Sequence, residues 1–373
     1  LKFCIITAEF PPYPGGIATY AWEVANELLN QGHGVTVFLL GNQGAQSYTE
    51  RFPVHMLSQG TFKISSLPVA FLRLRRALRR ESFDALIAAD HRSGLLLSML
   101  GKRWGKRAMV LHGTEIRGKM LGFLPKWLNP LVELELLNAN SEFTKSLAVS
   151  RHGGLNATKI LANPLGVNRE KYSEKRDKQA SRKRLNIDSN KFVFLSVGRL
   201  EPRKGVEYSI DAACLLPDSM KQQMEFHVVG RSVDLRYAEL IKNKINAADC
   251  SVKYTGPVAL ETLLDYYAAA DVFVHAAVPD PLTVEGFGLV LLEAAAAGLP
   301  SIATFTDAIP EVVVDGRSGM LVLPRNSKAL ADAMMHLFND AMKLGILRQN
   351  CQSVVDYFTW RRHVEKLVCA LKS

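Results

Sequence analysis

The feature that most constrains this chain is a repeated alternation: a short apolar run of strand length, a turn rich in Gly, Pro or Asp, then a longer segment of helical periodicity. KFCIIT gives way to EFPPYPGG, an apolar helical period runs from Ile17 to Leu29, and Val35 to Leu40 is again a run of buried-strand type. Strand, glycine turn, helix and strand within about forty residues make a βαβ unit, which builds parallel sheets. Ala85–Ala89 and Ala108–Leu111 continue the series, and a second series begins at Phe192–Val197. It runs on through Met224–Val229, Val252–Tyr254, Val272–His275, Pro300–Ala303 and Met320–Leu323. With 373 residues there is room for two domains of ordinary size. The spacing predicts an α/β protein of two doubly wound, Rossmann-like domains facing across a cleft. Asn163–Gly166 and the charged stretch KYSEKRDKQASRKRLNIDSNK mark the boundary, with the charges expected on a solvated face. Domain spans of 1–167 and 168–352 follow.

Within this frame one stretch carries chemistry, DPLTVEGFGLVLLEAAAAGLP, from Asp280 to Pro300. Gly286 and Gly288 stand beside Glu285, and Glu293 lies on the helical run Leu289–Ala297. A flexible loop feeding a helix N-terminus lets backbone N–H groups approach a ligand, and the helix dipole favours negative charge there. The plainer alternative makes Glu285 a cap and Glu293 a solvated helix residue. Elsewhere, Gly198-Arg199 and Lys204-Gly205 follow a strand directly. Arg grips two oxygens at once and Lys acts as a point charge, so the pair suits a diphosphate; surface ion pairing is the alternative. His112 follows the strand at Ala108–Leu111, a position that points into the crevice outside a parallel sheet. Asp90 and His91 also follow a strand and are weaker candidates for an acceptor side.

These segments together resemble the retaining GT-B glycosyltransferases of the E-x7-E type, glycosyltransferase family 4, or glycosyl transferases group 1. EGFGLVLLEAAAAGLP looks like the signature itself, VGRLEPRKG like the diphosphate-binding segment, and HVVGR like the next strand of the donor domain. IPEVVVDGRSGMLVLP resembles that domain's closing stretch, EFPPYPGGIATY the opening glycine loop, LHGTE the central histidine segment, and NSEFTK with NPLGVN the approach to the linker. The ordered set is specific although each glycine pair alone is weak. Two departures stand out. Gly230-Arg231-Ser232 lacks a frequent second glycine, and Ala276-Ala277 with VPDPLTVE replaces the usual short approach to the first Glu.

The resemblance implies a hexosyltransferase that takes sugar from a nucleotide diphosphate donor, with UDP-glucose as the default, and passes it to a hydroxyl of a glycan, lipid-linked or small-molecule acceptor. Glu293 is implied to accept hydrogen bonds from the ribose, Arg199 and Lys204 to hold the leaving diphosphate, and Glu285 to hold sugar hydroxyls. The backbone of Gly286, Phe287, Gly288 and Leu289 is implied to meet sugar or phosphate. Gly16 and Gly230 are implied near the donor, Val258 near the base, and His112 at the transferred sugar. The last segment, 353–373, is implied to return to the first domain, with Thr359-Trp360 resembling the family's crossing point. Same-fold alternatives are a sugar-nucleotide epimerase or phosphorylase, or a non-catalytic binding partner.

Composition limits the setting. Cys4, Cys214, Cys250, Cys351 and Cys369 are scattered without a C-x-x-C pair, which argues for reduced thiols and a cytoplasmic protein. No D-x-D pair or histidine ligand spacing is present, so no metal and no cofactor are expected. Much of the net charge of +10 gathers in FLRLRRALRRE, where Phe71, Leu74 and Leu78 share a helical face. Arg73, Arg75, Arg76, Arg79 and Arg80 spread over the other, and GKRWGKR follows. This reads either as a core-facing helix with a solvated basic side, or as a surface that meets the anionic inner face of a membrane or an anionic acceptor. No nucleic-acid module or stacking pattern accompanies the charge.

Overall fold

The computed structural model describes residues 1–13, 15–41, 50–58, 60, 62–117, 124–125, 128–152, 155–173 and 176–372. Pro14 of the opening glycine loop lies outside them. The described chain divides into two units, Leu1–Gly166 with Trp360–Ser373, and Val167–Thr359.

The first unit is a seven-stranded parallel sheet of β1 (Lys2–Thr7), β2 (Gly34–Leu39), β3 (Val54–Met56), β4 (Ala85–Ala88), β5 (Lys106–Leu111), β6 (Leu136–Ala139) and β7 (Ile160–Ala162), in the order β3-β2-β1-β4-β5-β6-β7. The second is a six-stranded sheet of β8 (Phe192–Val197), β9 (Met224–Val229), β10 (Val252–Gly256), β11 (Val272–His275), β12 (Ser301–Thr304) and β13 (Gly319–Val322), in the order β10-β9-β8-β11-β12-β13. Both are doubly wound, as the alternation predicts. The near-continuous apolar runs are explained by burial on both faces: every residue of β4, β6, β9, β11 and β12 is buried. Strand order reverses between β1 and β4 in one sheet and between β8 and β11 in the other. Ligands bind outside the carboxyl ends of the strands at such switch points.

The end of the chain is not one helix. Ala341–Tyr357 belongs to the second unit and Trp360–Lys372 to the first, with the break at Phe358-Thr359. The closing helix packs its buried face, including Trp360, His363, Val364 and Leu367, on the Gly16–Asn30 helix and β6.

Two charge expectations are corrected. Arg107, counted with the surface basic run, is 1% exposed; its guanidinium grips both carboxylate oxygens of Glu135 and donates to the carbonyls of Leu97, Leu100 and Glu133. The stretch after residue 170 is not simply solvated either. Arg182 is buried and donates to Ala269 O, Ser189 O and Asp271, while Arg176, Arg184 and Ser181 converge on Asp265. Such cations enter a core because a complete set of acceptors meets them there. Sequence spacing does not show partners more than eighty residues away.

Candidate active site

In the second unit, the candidate residues gather at the carboxyl ends of β8 and β11, the two strands that flank the switch point. After β8 the chain passes Gly198-Arg199 and forms a tight turn at Pro202–Lys204 that ends on Gly205. Gly205 has φ 61° and packs so closely on the end of β11 that a Cβ there would lie 2.0 Å from Ala276 O. Only glycine permits that approach, and it holds Lys204 against the strand that ends in His275.

Lys204 Nζ donates to Glu285 Oε2 at 2.5 Å, and Arg203 Nη1 donates to the same oxygen at 2.6 Å. Arg203 also donates to Glu201 Oε1 at 2.8 Å, which pairs with Arg199 at 3.3 Å. Arg199 is the open member, its side chain 57% exposed against 9% for Arg203 and 12% for Lys204. The backbone of Glu285 is fixed as well: its N–H donates to Asp307 Oδ2, and its carbonyl accepts from Ala308 N. The longer approach to Glu285 is ordered by Asp280, whose Oδ1 accepts from the backbone of Leu282 and Thr283 and from the Thr283 hydroxyl.

Burial alone would raise the Glu285 carboxyl, but Lys204 and then Arg203 hold it well below the usual carboxylate range. Burial lowers Lys204, with Glu285 opposing. The group therefore sets Arg199, Arg203 and Lys204 against Glu201 and Glu285, three cations to two carboxylates. These cations, Arg203 and Lys204 buried and pre-aligned and Arg199 open to solvent, can stabilise an incoming phosphate.

Gly288 is the N-cap of the Leu289–Ala296 helix, so the backbone from Gly286 to Leu289 lies at a helix N-terminus. Phe287 turns its ring into the core against Phe358, centroids 5.6 Å apart. Any contact it makes with a ligand comes from its main chain. Glu293 lies on this helix and accepts from Tyr267 OH at 2.9 Å; burial raises its pKa, while Tyr172 and Tyr267 oppose the rise. Gly230 answers a packing demand: with φ 145°, its Cβ would fall 1.8 Å from Gly198 O. This is where the ends of β8 and β9 meet. Val258 is partly exposed in the loop after β10.

Sequence reasoning missed Arg203, His275, Tyr172 and Tyr267. The adjacent cation in PRKG was the one available signal for Arg203; the others depend on pairings across the fold. It also treated the cysteines as scattered, whereas Cys214 and Cys250 meet at 3.9 Å beside Asp249. That group precedes β10, at the end of the strand away from the switch point.

In the first unit, Gly16 opens the Gly16–Asn30 helix and Gly15 is its extended N-cap. His112 follows β5, partly buried, with Nε2 2.8 Å from Ala89 O and its backbone N–H on Glu115 Oε1 at 2.6 Å. A carbonyl can only accept, so Nε2 carries the proton and Nδ1 is the acceptor left to a ligand. The main-chain N–H of His112 is already used. Asp90, an acceptor-side candidate, is instead a fully buried cap that accepts from Ala8 N, Arg92 N, Ser93 N and Ser93 Oγ. No oxygen is turned outward.

Comparison with known proteins agrees with this architecture. The family described as "Glycosyltransferase Family 4" matches residues 14–171 and that described as "Glycosyl transferases group 1" matches residues 177–353. The chain is 27% identical to the GDP-mannose-dependent alpha-(1-6)-phosphatidylinositol monomannoside mannosyltransferase of Mycolicibacterium smegmatis, over 97% of this chain and 96% of that one. It is 28% identical to a D-inositol 3-phosphate glycosyltransferase of Geodermatophilus obscurus, over 95% and 84%. Among solved structures it shares its fold with Anabaena HepE in complex with UDP and glucose, TM-score 0.82 at 21% identity, covering 100% and 99% of the two chains. Two consecutive family matches laid over two Rossmann-like sheets establish the chain as a GT-B glycosyltransferase of family 4, the glycosyl transferases group 1.

Proposed function

We propose that this glycosyltransferase moves a hexose from a nucleoside diphosphate sugar to a hydroxyl with retention of anomeric configuration and without a divalent metal. The observation that carries this reading is the cluster of three cations at the β8–β11 switch point. Arg199, Arg203 and Lys204 would neutralise the charge that appears on the diphosphate as the glycosidic bond breaks, the task a metal performs elsewhere. Glu293 accepts from the ribose hydroxyls, the Gly286–Leu289 backbone meets sugar or phosphate, and Val258 lies against the base. Glu285 holds sugar hydroxyls, and the leaving phosphate takes the acceptor's proton. In the first unit we assign Gly16 to the donor and the Nδ1 atom of His112 to a sugar hydroxyl.

We assign UDP-glucose as the first donor to test, and GDP-mannose, named for the Mycolicibacterium relative, as its competitor. For the acceptor we favour an anionic or lipid-linked molecule, placing the enzyme in cell-surface polysaccharide or glycolipid synthesis. The named acceptors of the two curated relatives, phosphatidylinositol monomannoside and inositol 3-phosphate, have that chemistry. The helix Leu67–Arg80 supports a peripheral contact with an anionic inner membrane face. It buries Leu67, Ala70, Leu74 and Leu78, and turns Val69 and Leu72, 47% and 62% exposed, outward among its arginines. Basic and apolar groups together on a solvent face suit a lipid interface. Among the described residues no helix is long and apolar enough to cross a membrane.

A thermal-shift panel of nucleotides and nucleotide sugars, with and without magnesium and a chelator, tests the site on wild type and Glu293→Ala. Stabilisation by one nucleoside diphosphate that is lost in the variant supports the reading; no stabilisation by any of them overturns it. For the membrane face, co-sedimentation with anionic vesicles should fall in an Arg73, Arg76, Arg80→Ala chain, and unchanged sedimentation refutes it.

A further inference from the structure

Resting on that reading of the site, we infer that His275 is a positioning residue for Glu285, the donor that takes over the carboxylate when the diphosphate draws Lys204 away. His275 ends β11, is 2% exposed, and lies parallel to the Phe273 ring with centroids 6.4 Å apart. Its Nε2 is 3.4 Å from Glu285 Oε2, yet it is a buried polar atom without a hydrogen bond. Buried polar atoms are nearly always paired, so an unpaired one this close to a key carboxylate calls for a reason. The same oxygen is occupied by Lys204 and Arg203 at 2.5 and 2.6 Å.

A diphosphate carries more charge than one shared carboxylate, so Lys204 Nζ should transfer to its oxygens as the donor binds. Glu285 then loses one of its two close partners in a site where burial favours its protonation. The groups facing His275 are Glu285 from the loop before the Leu289–Ala296 helix, and Lys204 and Arg203 from the turn after β8. Burial lowers the imidazole pKa, keeping the ring neutral, and its lowering is reinforced by Lys204 and Arg203 and opposed by Glu285. At 3.4 Å the separation already suits a bond, so a neutral ring with its proton on Nε2 has only to turn that N–H toward Glu285 to donate to it. It thereby keeps the carboxylate ionised and oriented toward the sugar while Lys204 serves the phosphate. Because Gly205 packs on Ala276, the loop holding Lys204 and the strand holding His275 are built as one unit.

The test compares His275→Gln, which places an amide N–H near the Nε2 position, with His275→Asn, which is too short, and His275→Leu, which has no donor. Wild type and all three are measured for transfer kinetics, for nucleoside diphosphate affinity by calorimetry, and for thermal midpoint. We expect kcat to fall about tenfold to a hundredfold in the Leu and Asn variants and to recover to within about threefold in Gln, with diphosphate affinity held within about twofold throughout. Equal kcat in Gln and Asn, or a loss of affinity matching the loss of kcat, overturns the inference. If the Leu variant fails to fold, the Gln and Asn pair decides it. A wild type that binds no nucleoside diphosphate would refute the donor-site reading instead, a different and separately visible result.

Discussion

The ends of the two sheets are built from opposite materials. At β8 and β11, the second unit buries charge: Glu285 takes two cations on one oxygen, and Glu201 ties in a third. In the first unit the carboxylates lie at the ends of β1 and β4, with Asp90 as a buried cap and Glu9 paired to Arg92, while the network under the closing helix is polar and uncharged. Tyr20 packs edge-on against His112 and His363, His363 Nε2 lies 3.3 Å from Tyr20 OH, and His363 Nδ1 lies 2.9 Å from Pro164 O. A charged cluster can exchange partners with an incoming anion, because a new ion pair replaces an old one. A neutral network offers no such exchange; it fixes the closing helix and orients His112. The contrast assigns strong electrostatic work to one unit and precise placement of neutral donors and acceptors to the other.

Breaking the charged side should have the largest effect. Lys204→Met removes the proposed phosphate partner and leaves buried Glu285 one donor short, and kcat/KM should fall about 10²- to 10³-fold, some 3–4 kcal/mol of transition-state stabilisation. Arg203→Ala should approach that loss because its guanidinium is buried in the cluster. Arg199→Ala should cost less, since an exposed arginine is screened by solvent. Steady-state kinetics rank the three, and a ranking with Arg199 first would show that the open cation, not the buried pair, carries the phosphate.

The neutral side should reveal itself through pH. Burial lowers the His363 pKa from 6.5 to about 4. The unfolded chain then binds a proton more readily than the folded one, so this stability is present above pH 6.5 and is lost as pH falls from 6.5 toward 4. At full expression the loss is about 3 kcal/mol, from 1.36 kcal/mol per unit. Urea unfolding of the first unit at stepped pH should show it, and His363→Gln should lack that slope.

A smaller charged effect lies away from the site. Arg184 first, then Ser181 and Arg176, hold the Asp265 carboxyl at about 2 against burial. Its contribution is present above pH 3.8 and is lost as pH falls through 3.8 toward 2, about 2 kcal/mol in all. Asp265→Asn should lower the midpoint of the second unit at neutral pH and remove this part of its acid dependence. An unchanged midpoint would mean that the cations after residue 170 are solvated after all.

The two sides also differ in how readable they are from sequence. Strands such as Phe192–Val197, Met224–Val229 and Val272–His275 were legible residue for residue, because burial on both faces writes a short, mainly apolar run even with Ser196, Glu225 or His227 inside it. β3, β6 and β7 were not: they are three or four residues long, and β6 contains polar Asn138. The spacing placed Lys204 and Glu285 on loops after strands, but their meeting through one oxygen depends on the β8–β11 pairing and on Gly205. The resemblance marked Thr359-Trp360 as the crossing point, but the helix end at Tyr357 was hidden because the apolar period continues through it. Arg107 and Arg182 read as surface charge because nothing local reveals Glu135 or Asp271.

The smallest expected effect separates the roles of the two glutamates. Glu285 is held ionised by buried cations in contact, whereas Glu293, whose pKa burial raises, is held by the phenols of Tyr172 and Tyr267 with a smaller pull from Lys171. If Glu293 accepts from the ribose hydroxyls, nucleotide affinity requires its ionised form. Affinity should then weaken as pH falls through that raised value, while the Glu285 contribution stays constant. Tyr267→Phe removes a 2.9 Å donor from the carboxylate and should raise its pKa further. The loss at neutral pH should be modest, about 1 kcal/mol or a few-fold in affinity. The fall-off should also move to higher pH. Calorimetric titration of the nucleoside diphosphate across pH, on wild type and variant, reads both quantities. A fall-off that does not move would assign the titration to a group other than Glu293, and a loss of tens of fold would mean that Tyr267 touches the nucleotide itself.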